Sequence, residues 1–301
     1  MQQQFNPQNN NLKVFVGGKI LPRLEAKVSV FDSSVQGGDA VWEGLRVYNG
    51  RIFCLSQHLQ RLFESAKALD FSHIPSFDYI KQAIADTLKA NNMSDGVHIR
   101  LTLTRGEKIT SGMDPRLNQS GSMLIVLAEW KPPVYDNFKG ISLVTAQIRR
   151  NSPQTLDSKI HHNNLLNNIL AKIEANHAGA DDALMLDLYG FVAETNATNI
   201  FMVKNKVLHT PLPDACLPGI TRSVVLKIAD ELQIPTRERN LTVSELYNAD
   251  EVFTTGTMGE LTPVTMIDKR VITPVQHFQI LTKLQEAYRF ITLTEGEEIL
   301  F

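Results

Sequence analysis

The sequence predicts an α+β fold with two domains, a smaller N-terminal sheet-and-helix domain and a larger β-rich C-terminal domain. Its 301 residues exceed the usual size of one domain. Short strand patterns and amphipathic helix patterns are interspersed along it, without an internal repeat. The segment "KPPVYDNFKG" combines two prolines, an Asp-Asn pair and a glycine, which is typical of a linker. We therefore expect domains at 1–130 and 141–301, joined by a linker at 131–140.

The elements of the N-terminal domain follow from hydrophobic periodicity. The polar residues 1–10 are expected to form a flexible tail. Strands are predicted in "KVFVGGKIL", "KVSVFDSSV" and "GLRVYNGRIFCL", and the second alternates apolar and polar residues as a half-buried strand does. The segments "SQHLQRLFESAKAL" and "FDYIKQAIADTLKANN" each have one apolar face and predict helices, the first with Ser56 as its N-cap. Two strands, "HIRLTLTRG" and "SMLIVLAEW", complete the domain.

The C-terminal domain begins with a strand, "ISLVTAQI", and then a loop. The next helix has an apolar face that contains Leu165, Ile169 and Ile173. Short strands are predicted in "ALMLDL", "FVAET", "NIFMV" and "KVLHT", each bounded by turn residues. A glycine turn opens a helix in "LPGITRSVVLKIADEL", a strand in "EVFTTGT" runs into a turn, and "HFQILTKLQEAYRFI" is helical.

Composition restricts the class of protein. The formal net charge of −2 provides no general attraction for nucleic acid or an acidic membrane surface. The N-terminus lacks the pattern of a secretory signal, and no apolar run approaches the ~20 residues that span a bilayer. Cys54 and Cys216 are far apart and flanked by apolar residues, which favours buried thiols over a disulfide framework. We expect a cytoplasmic protein without a metal site.

One lysine is a candidate for chemistry. The segment "LDSKIHHNNL", residues 156–165, places Lys159 between a serine and a pair of histidines, ahead of an asparagine-rich run. Most lysines are exposed surface charges, so Lys159 becomes significant only if other motifs supply a site for it.

Two glycine turns could bind an anion. In "LPGITR", Gly219 permits a sharp turn, and the amides of Ile220 and Thr221 then open a helix whose N-terminus suits a phosphate. In "TTGTMGE", a strand ends in small residues, with the hydroxyl of Thr257 beside exposed amides. Taken alone, "LPGITR" is more compatible with an ordinary loop-to-helix junction, and "TTGTMGE" is at least as compatible with an ordinary turn.

Two charged residues complete the pattern. Glu194 ends the apolar strand of "FVAETNATNIF", where a carboxylate held inside a site could stabilise a protonated ring nitrogen. Arg61 lies on the first predicted helix and could reach a phosphate. A lysine, a carboxylate and two anion turns are what pyridoxal phosphate requires: an amine, a partner for the pyridinium nitrogen and a phosphate site.

The segments together resemble the class IV pyridoxal-phosphate aminotransferases, which include branched-chain aminotransferases, D-amino-acid aminotransferases and aminodeoxychorismate lyase. The resemblance runs from about Val14 to Phe290. It rests on "VWEGLRVYNGRIFCLSQHLQRL", Lys159 with its helix, "GFVAETNATNIF", "LPGITR" and "ADEVFTTGTMGELTPV" in this order and spacing. It implies the D-amino-acid aminotransferase-like fold of type IV PLP enzymes, with pyridoxal 5′-phosphate between the domains and a homodimer whose two chains complete each site.

The resemblance also implies roles. Lys159 is then the Schiff-base lysine and proton shuttle, in a low-polarity setting with neighbouring cations, and Glu194 is the partner of the pyridine nitrogen. The implied phosphate shell is Arg61, Ile220, Thr221 and Thr257. Thr257 and Met258 also face the carboxylate of the substrate.

The substrate follows from one segment and a few pocket positions. "VWEGLRVY" is most similar to the branched-chain form, which has phenylalanine at the position of Trp42. Arg100 falls where those enzymes carry the arginine that receives the side-chain carboxylate of glutamate, and Trp130 matches an aromatic pocket position. Pocket tyrosines of those enzymes are replaced by the three residues Gly37, His98 and Asn164.

The leading interpretation is a transaminase that moves the amino group of L-leucine, L-isoleucine or L-valine to 2-oxoglutarate by ping-pong chemistry through Lys159. A D-amino-acid transaminase remains an alternative, favoured by the ending of "HIRLTLTRG". A second is aminodeoxychorismate lyase, which needs no 2-oxo-acid acceptor and would leave Arg100 without a role. The last is a protein that binds the cofactor without turnover.

Overall fold

The structure is a computed structural model that describes residues 4–299. The chain divides into two compact units, which we call the N-terminal unit (4–132, 160–164 and 292–299) and the C-terminal unit (133–159 and 165–291). Each unit combines a sheet with helices, which confirms the predicted α+β class.

The strands, in chain order, are β1 (Lys13–Val16), β2 (Lys19–Pro22), β3 (Ala40–Tyr48), β4 (Arg51–Ile52), β5 (Val97–Thr104), β6 (Met123–Trp130), β7 (Ile141–Thr145), β8 (Asp182–Leu186), β9 (Val192–Thr195), β10 (Asn199–Lys204), β11 (Val207–Thr210), β12 (Thr236–Glu238), β13 (Glu251–Gly256), β14 (Glu260–Ile267), β15 (Arg270–Val271) and β16 (Glu297–Glu298). The α-helices are α1 (Ser33–Gly37), α2 (Leu55–Ala68), α3 (Phe77–Ala90), α4 (Leu166–Ala178), α5 (Ile220–Glu231), α6 (Val243–Tyr247) and α7 (Ile280–Thr294). Short 3₁₀ helices span Pro7–Asn11, Pro115–Leu117 and Val275–His277.

The N-terminal unit is built on an antiparallel sheet in the order β16-β4-β3-β5-β6-β1-β2. Successive side chains of a strand point to opposite faces. On β3, Val41, Leu45 and Val47 point into the hydrophobic core, where α2 and α3 pack. The leucines of α2 recur at helical spacing and are fully buried there, and α2 begins after Cys54 in a left-handed conformation (φ 52°), not after the predicted N-cap Ser56.

The other face of the same two central strands carries polar and aromatic side chains. Trp42, Gly44 and Arg46 of β3 alternate with the core residues, and the register pairs Gly44 with Arg100 and Arg46 with His98 of β5. Paired residues of an antiparallel sheet lie on one face. We call the surface formed by Trp42, Gly44, Arg46, His98 and Arg100 the β3–β5 face.

The C-terminal unit is built on a mixed sheet in the order β12-β11-β10-β13-β14-β7-β8-β9, with β15 paired to β14. Most pairs are antiparallel, but β11–β12, β14–β7 and β7–β8 are parallel. One core of this unit is formed by apolar residues of β7, β10, β13 and β14, and a smaller one lies under α4.

The start of α7 is anchored to this sheet by one carboxylate. Glu251, at the beginning of β13, is buried and accepts the backbone N–H groups of Gln279 at 2.7 Å and of Ile280 and Leu281 at 2.8 Å. These amides belong to the turn at which a helix has no internal acceptors, so the side chain replaces the missing partners.

Two predictions about the N-terminal half are wrong. "KVSVFDSSV" forms no strand, because the Asp32 side chain accepts the N–H of Ser34 at 2.8 Å and caps α1, and Val30 and Phe31 are exposed. The predicted tail includes residues 1–3, which lie outside the described residues. Its remainder is packed, since the side chain of Asn9 is buried and exchanges two hydrogen bonds of 3.0 Å with the backbone of Trp130.

The helix α4 lies where the sequence predicts it, but its buried face is different. The four large side chains Leu166, Ile169, Leu170 and Ile173 are exposed by 65%, 49%, 48% and 42%, whereas small alanines of the opposite face are buried. We call these four residues the α4 stripe. No helix within residues 4–299 has the length and apolar character that crossing a bilayer requires.

Candidate active site

Lys159 lies in the loop between β7 and α4. The buried Ser158 donates its hydroxyl to the carbonyl of Asn151 at 3.0 Å, and the carboxylate of Asp157 accepts the Lys159 N–H at 3.0 Å, so the backbone around the lysine is fixed. The expected low-polarity, cation-neighboured setting is wrong: the side chain is 42% exposed, and its Nζ lies 3.8 Å from the carboxylate of Asp157 and 3.4 Å from the carbonyl of Asp214. The amine is therefore accessible to a ligand.

Glu194 is a buried carboxylate on β9 that is paired with Arg150. The Arg150 Nε donates to Oε1 of Glu194 at 2.6 Å, and both side chains are 6% exposed. Burial raises the pKa of Glu194, although the Arg150 guanidinium opposes this shift. Burial and the charge of Glu194 also raise the pKa of the Cys216 thiol to about 12, and Lys159 is among the cations that act on the same thiol.

Two residues that the sequence interpretation missed hold Glu194 in place. Arg150 is itself oriented by Asn167, whose Oδ1 accepts from Nη1 at 2.9 Å. Asn199 points its Nδ2 at Oε2 of Glu194 (3.4 Å) and donates to the carbonyl of Leu217 at 2.9 Å. The arginine pair directly after the apolar strand "ISLVTAQI" is the sequence signal that could have indicated Arg150.

The first anion turn is confirmed as a helix start. Gly219 is the N-cap of α5, and Ile220 and Thr221 open the helix, with Thr221 buried. The amides of this turn have no acceptor within the helix and carry its positive dipole. A Cβ at Gly219 would collide with Oδ1 of Asn199, the residue that also contacts Glu194. The glycine therefore allows this turn to pack against Asn199.

The second turn follows β13. Thr257, Met258 and Gly259 connect β13 to β14, and the Met258 carbonyl accepts from the backbone of Val134 at 3.0 Å. A Cβ at Gly256 would lie 3.0 Å from Cγ2 of Thr198, so this turn also depends on a glycine for close packing.

The residues of the C-terminal unit fit pyridoxal phosphate. An accessible primary amine, a buried carboxylate kept beside a cation and two turns of small residues match its aldehyde, its ring nitrogen and its phosphate.

Arg61, predicted to bind the phosphate, lies in the N-terminal unit and is paired with Glu43. Its Nε and Nη2 each donate to the fully buried Glu43 carboxylate at 2.7 Å. The Nδ1 atoms of His58 and His161 lie 2.6 and 3.0 Å from the same carboxylate. Burial alone would raise the pKa of Glu43, but His161 and Arg61 outweigh it and hold this pKa well below its ordinary value.

If Arg61 binds the cofactor phosphate, as the resemblance implies, Arg61→Ala should weaken cofactor binding more than it lowers turnover at saturating cofactor, because a phosphate contact acts equally in ground and transition states. It should also lower the free energy of unfolding by about 3–5 kcal/mol, since it leaves the buried Glu43 without this cation. The double variant Glu43→Gln/Arg61→Met separates the effects: we expect it to regain stability without regaining cofactor affinity. A cofactor dissociation constant that is unchanged in both variants would remove Arg61 from the phosphate shell.

Three of the predicted substrate residues share the β3–β5 face. The Arg100 guanidinium stacks on Trp42, with its Cζ 3.8 Å from the ring centroid, and its Nη2 donates to Oδ1 of Asn163 at 2.8 Å. Burial lowers the pKa of Arg100 to about 10, so it remains charged at neutral pH. Burial and the charges of Lys131, Arg46 and Arg100 lower the pKa of His98 to about 3, so His98 is neutral.

Trp130 is not on this face. It pairs in register with Val97, which points into the core, and its ring packs against that core. The alternation of β6 turns the Trp130 side chain away from Arg100, and its assignment to a substrate pocket stays a prediction.

Two of the three positions of replaced tyrosines, Gly37 and Asn164, are on or near α1, whereas His98 lies on β5. Gly37 ends α1 with no atom within 4 Å of a Cβ built on it. Asn164 packs its Cβ 3.5 Å from the position a Gly38 Cβ would take.

Comparisons with known proteins match most of the chain to one family. A family model described as "Amino-transferase class IV" matches residues 40–267. The chain is 59% identical over 293 residues to "Branched-chain-amino-acid aminotransferase-like protein 2" of Arabidopsis thaliana, covering 97% of this chain and 52% of that protein, and thus about half its length. It is 40% identical over 289 residues to "Putative branched-chain-amino-acid aminotransferase" of Methanocaldococcus jannaschii, covering 96% and 99% of the two chains. The crystal structure of the branched-chain amino acid aminotransferase of "T.th." with N-(5′-phosphopyridoxyl)-L-glutamate superposes with a TM-score of 0.87 at 33% identity, covering 94% of each chain.

Proposed function

This chain belongs to the class IV aminotransferase family, and on that premise we propose that it transfers the amino group of a branched-chain L-amino acid to 2-oxoglutarate by a ping-pong mechanism. The cofactor is pyridoxal 5′-phosphate. The observation that carries the proposal is that one unit holds both the buried Glu194–Arg150 pair and the accessible amine of Lys159. The substrate class is supported by relatives whose names specify branched-chain amino acids.

Each candidate site residue of the C-terminal unit has a role in this chemistry. Bound pyridoxal phosphate supplies an electron sink for negative charge that develops at Cα of the amino acid. The Lys159 Nζ would hold the cofactor covalently until the amine of the amino acid displaces it, and the freed amine would then take the proton from Cα. Glu194 would keep a proton on the ring nitrogen, and the Arg150 guanidinium favours its charged form against the effect of burial. The amides of Ile220 and Thr221, with Thr257, bind the phosphate.

The rival reactions differ in the compound that is consumed. The test is to mix the cofactor-loaded protein with L-leucine, D-alanine or aminodeoxychorismate and follow the cofactor spectrum. We expect L-leucine to change the cofactor spectrum and 2-oxoglutarate to restore it. Faster reaction with D-alanine would replace the proposal by a D-amino-acid transaminase. Arg105 lies in the ending of "HIRLTLTRG" that favoured this alternative. Its side chain is already bound to Asp39 at 2.6 Å and to the Leu69 carbonyl at 2.6 Å.

Arg100→Met should slow the half-reaction with L-glutamate by on the order of 10², because a buried carboxylate loses its charged partner. The L-leucine half-reaction should change far less, since an apolar side chain does not use the guanidinium. Both half-reactions are measured separately by rapid mixing. Asn163→Ala is the control: it removes the 2.8 Å hydrogen bond to Arg100 but keeps the charge. Equal losses for the two substrates in Arg100→Met would show that Arg100 serves the common α-carboxylate or the fold.

We extend the proposal to a cytoplasmic homodimer. The α4 stripe exposes four large apolar side chains along one helix face, and contiguous exposed apolar surface of this kind marks association sites. A second copy of the chain would cover it. A solution mass equal to one chain by light scattering would contradict the homodimer.

A further inference from the structure

The segment "KPPVYDNFKG" is attached to the second anion turn, residues 257–259, and the chemistry described above does not use it. The backbone N–H of Val134 donates to the Met258 carbonyl at 3.0 Å. A Cβ built at Gly259 would lie 3.4 Å from Cδ2 of Tyr135, so the ring of this tyrosine lies directly against the turn. The turn, Val134 and Tyr135 all belong to the C-terminal unit.

The hydroxyl at the other end of Tyr135 is bound to a buried carboxylate. It donates to Oδ2 of Asp182, the first residue of β8, whose side chain is 1% exposed. The Nζ of Lys172 on α4 donates to Oδ1 of the same carboxylate at 2.9 Å. Burial and the charge of Asp182 raise the pKa of Tyr135 above its ordinary value, so the phenol remains a donor throughout the physiological pH range.

Tyr135 therefore connects a strand of the sheet to the turn. Its aromatic side chain is rigid, and both of its ends are in contact, the hydroxyl with Asp182 and the ring with Gly259. Beyond the turn, the Thr262 hydroxyl on β14 lies 2.8 Å from Oδ1 of Asn137 and 2.9 Å from the Gly259 carbonyl. The segment thus holds the turn at its middle and at its C-terminal end.

We propose that Tyr135 is a positioning residue that holds the second anion turn in the conformation that binds the cofactor phosphate. The proposal rests on the proposed function, which assigns Thr257 of this turn to the phosphate, and it names the side chain that keeps the turn in place. Amides that are already fixed bind an anion more tightly than mobile ones, because their ordering does not have to accompany binding. In this role Tyr135 acts through the turn.

The test compares pyridoxamine 5′-phosphate with pyridoxamine, two ligands that differ only in the phosphate. Neither carries an aldehyde, so neither can form an imine with Lys159. Binding of each to the full chain, after removal of bound cofactor, is measured by calorimetry. Wild-type protein should bind the phosphorylated ligand far more tightly, and Tyr135→Ala should weaken it by about tenfold while changing pyridoxamine less than about threefold. Equal weakening of both ligands, or unchanged affinity for the phosphorylated one, would overturn the proposal.

Tyr135→Phe keeps the ring against the turn but removes the hydroxyl that fixes its other end. We expect it to weaken pyridoxamine 5′-phosphate by about threefold and to leave pyridoxamine unchanged. This variant retains the packing volume and therefore decides the question if Tyr135→Ala does not fold. Wild-type affinity for both ligands in Tyr135→Phe would overturn the proposal, because the contact with Asp182 would then have no part in holding the turn.

Tyr247→Ala is the matched control, because Tyr247 is a second tyrosine of the same unit whose hydroxyl donates to a carboxylate, that of Asp268 at 2.6 Å. It should lower the melting temperature, as Tyr135→Ala does, without changing the ratio of the two dissociation constants. A change in this ratio as large as in Tyr135→Ala would mean that any loss of stability weakens phosphate binding, and it would overturn the proposal. Failure of the proposed function is recognised separately, since wild-type protein would then not react with L-leucine, whereas neither ligand requires turnover.

Discussion

Lys159→Ala should lower the rate of both half-reactions by on the order of 10⁴, because one substitution removes the covalent anchor of the cofactor and the base that moves the Cα proton. The loop itself should survive the change, since its backbone is held by the Asp157 carboxylate and by Ser158, not by the lysine side chain. The loss should therefore appear in the chemical step and not in the melting temperature.

Rapid mixing with L-leucine measures the rate, and mass spectrometry after borohydride treatment locates the cofactor. Wild-type protein should carry the label on Lys159. Lys227→Ala is the control, because this lysine on α5 is 71% exposed and is paired only with Glu231 among the described residues. A label on another lysine, or equal rates in the Lys159→Ala variant and wild type, would reject the assignment.

Glu194→Gln should slow the half-reactions by on the order of 10² to 10³ while the shape of the side chain is kept. The amide cannot hold a proton on the ring nitrogen, and the ring is then a weak electron sink. The structure adds a second effect, since the buried Arg150 loses its counter-ion and some stability is lost. Glu251→Gln is a matched control, a buried glutamate of the same unit that holds α7 and should affect stability without affecting the rate.

The pH dependence follows from the same pair. Wild-type rates should fall as the pH drops through the pKa of Glu194, because the neutral carboxyl no longer serves the ring nitrogen. Burial raises this pKa, so the fall begins at a higher pH than an exposed glutamate would give. Arg150→Met should move it higher still, because the opposing charge is removed. An acid limb that is unaffected in Arg150→Met and in Glu194→Gln would assign it to another group.

Local patterns were sufficient to predict much of the fold. The alternation in β3, β5 and β6 and the helical spacing of α2 are set by burial on one face, which periodicity detects. The turn before α5 could be predicted because Gly219 and the residues that follow it are adjacent in sequence. Pro263 obscured β14, since proline inside a run argues against a strand although it lies in β14 here, paired with Phe253.

What the sequence could not provide depends on contacts between distant residues. Arg150 and Glu194 are separated by 44 positions, and Glu43 and His161 by 118, so local patterns do not reveal which residues of these contacts are partners. The α4 stripe shows a related limit. Periodicity reveals that one helix face is apolar, but it does not specify whether that face meets the chain's own core or remains outside it.

The contact between Glu251 and α7 has a consequence for hydrogen exchange. The first amides of a helix normally exchange with solvent by fraying, without any wider opening. Here the acceptor sits on β13, inside the sheet, so the amides of Gln279, Ile280 and Leu281 are released only when the carboxylate leaves them. These three protons should exchange together, at the slow rate of the β13 amides, and the beginning of α7 should thus belong to the same cooperative unit as the sheet.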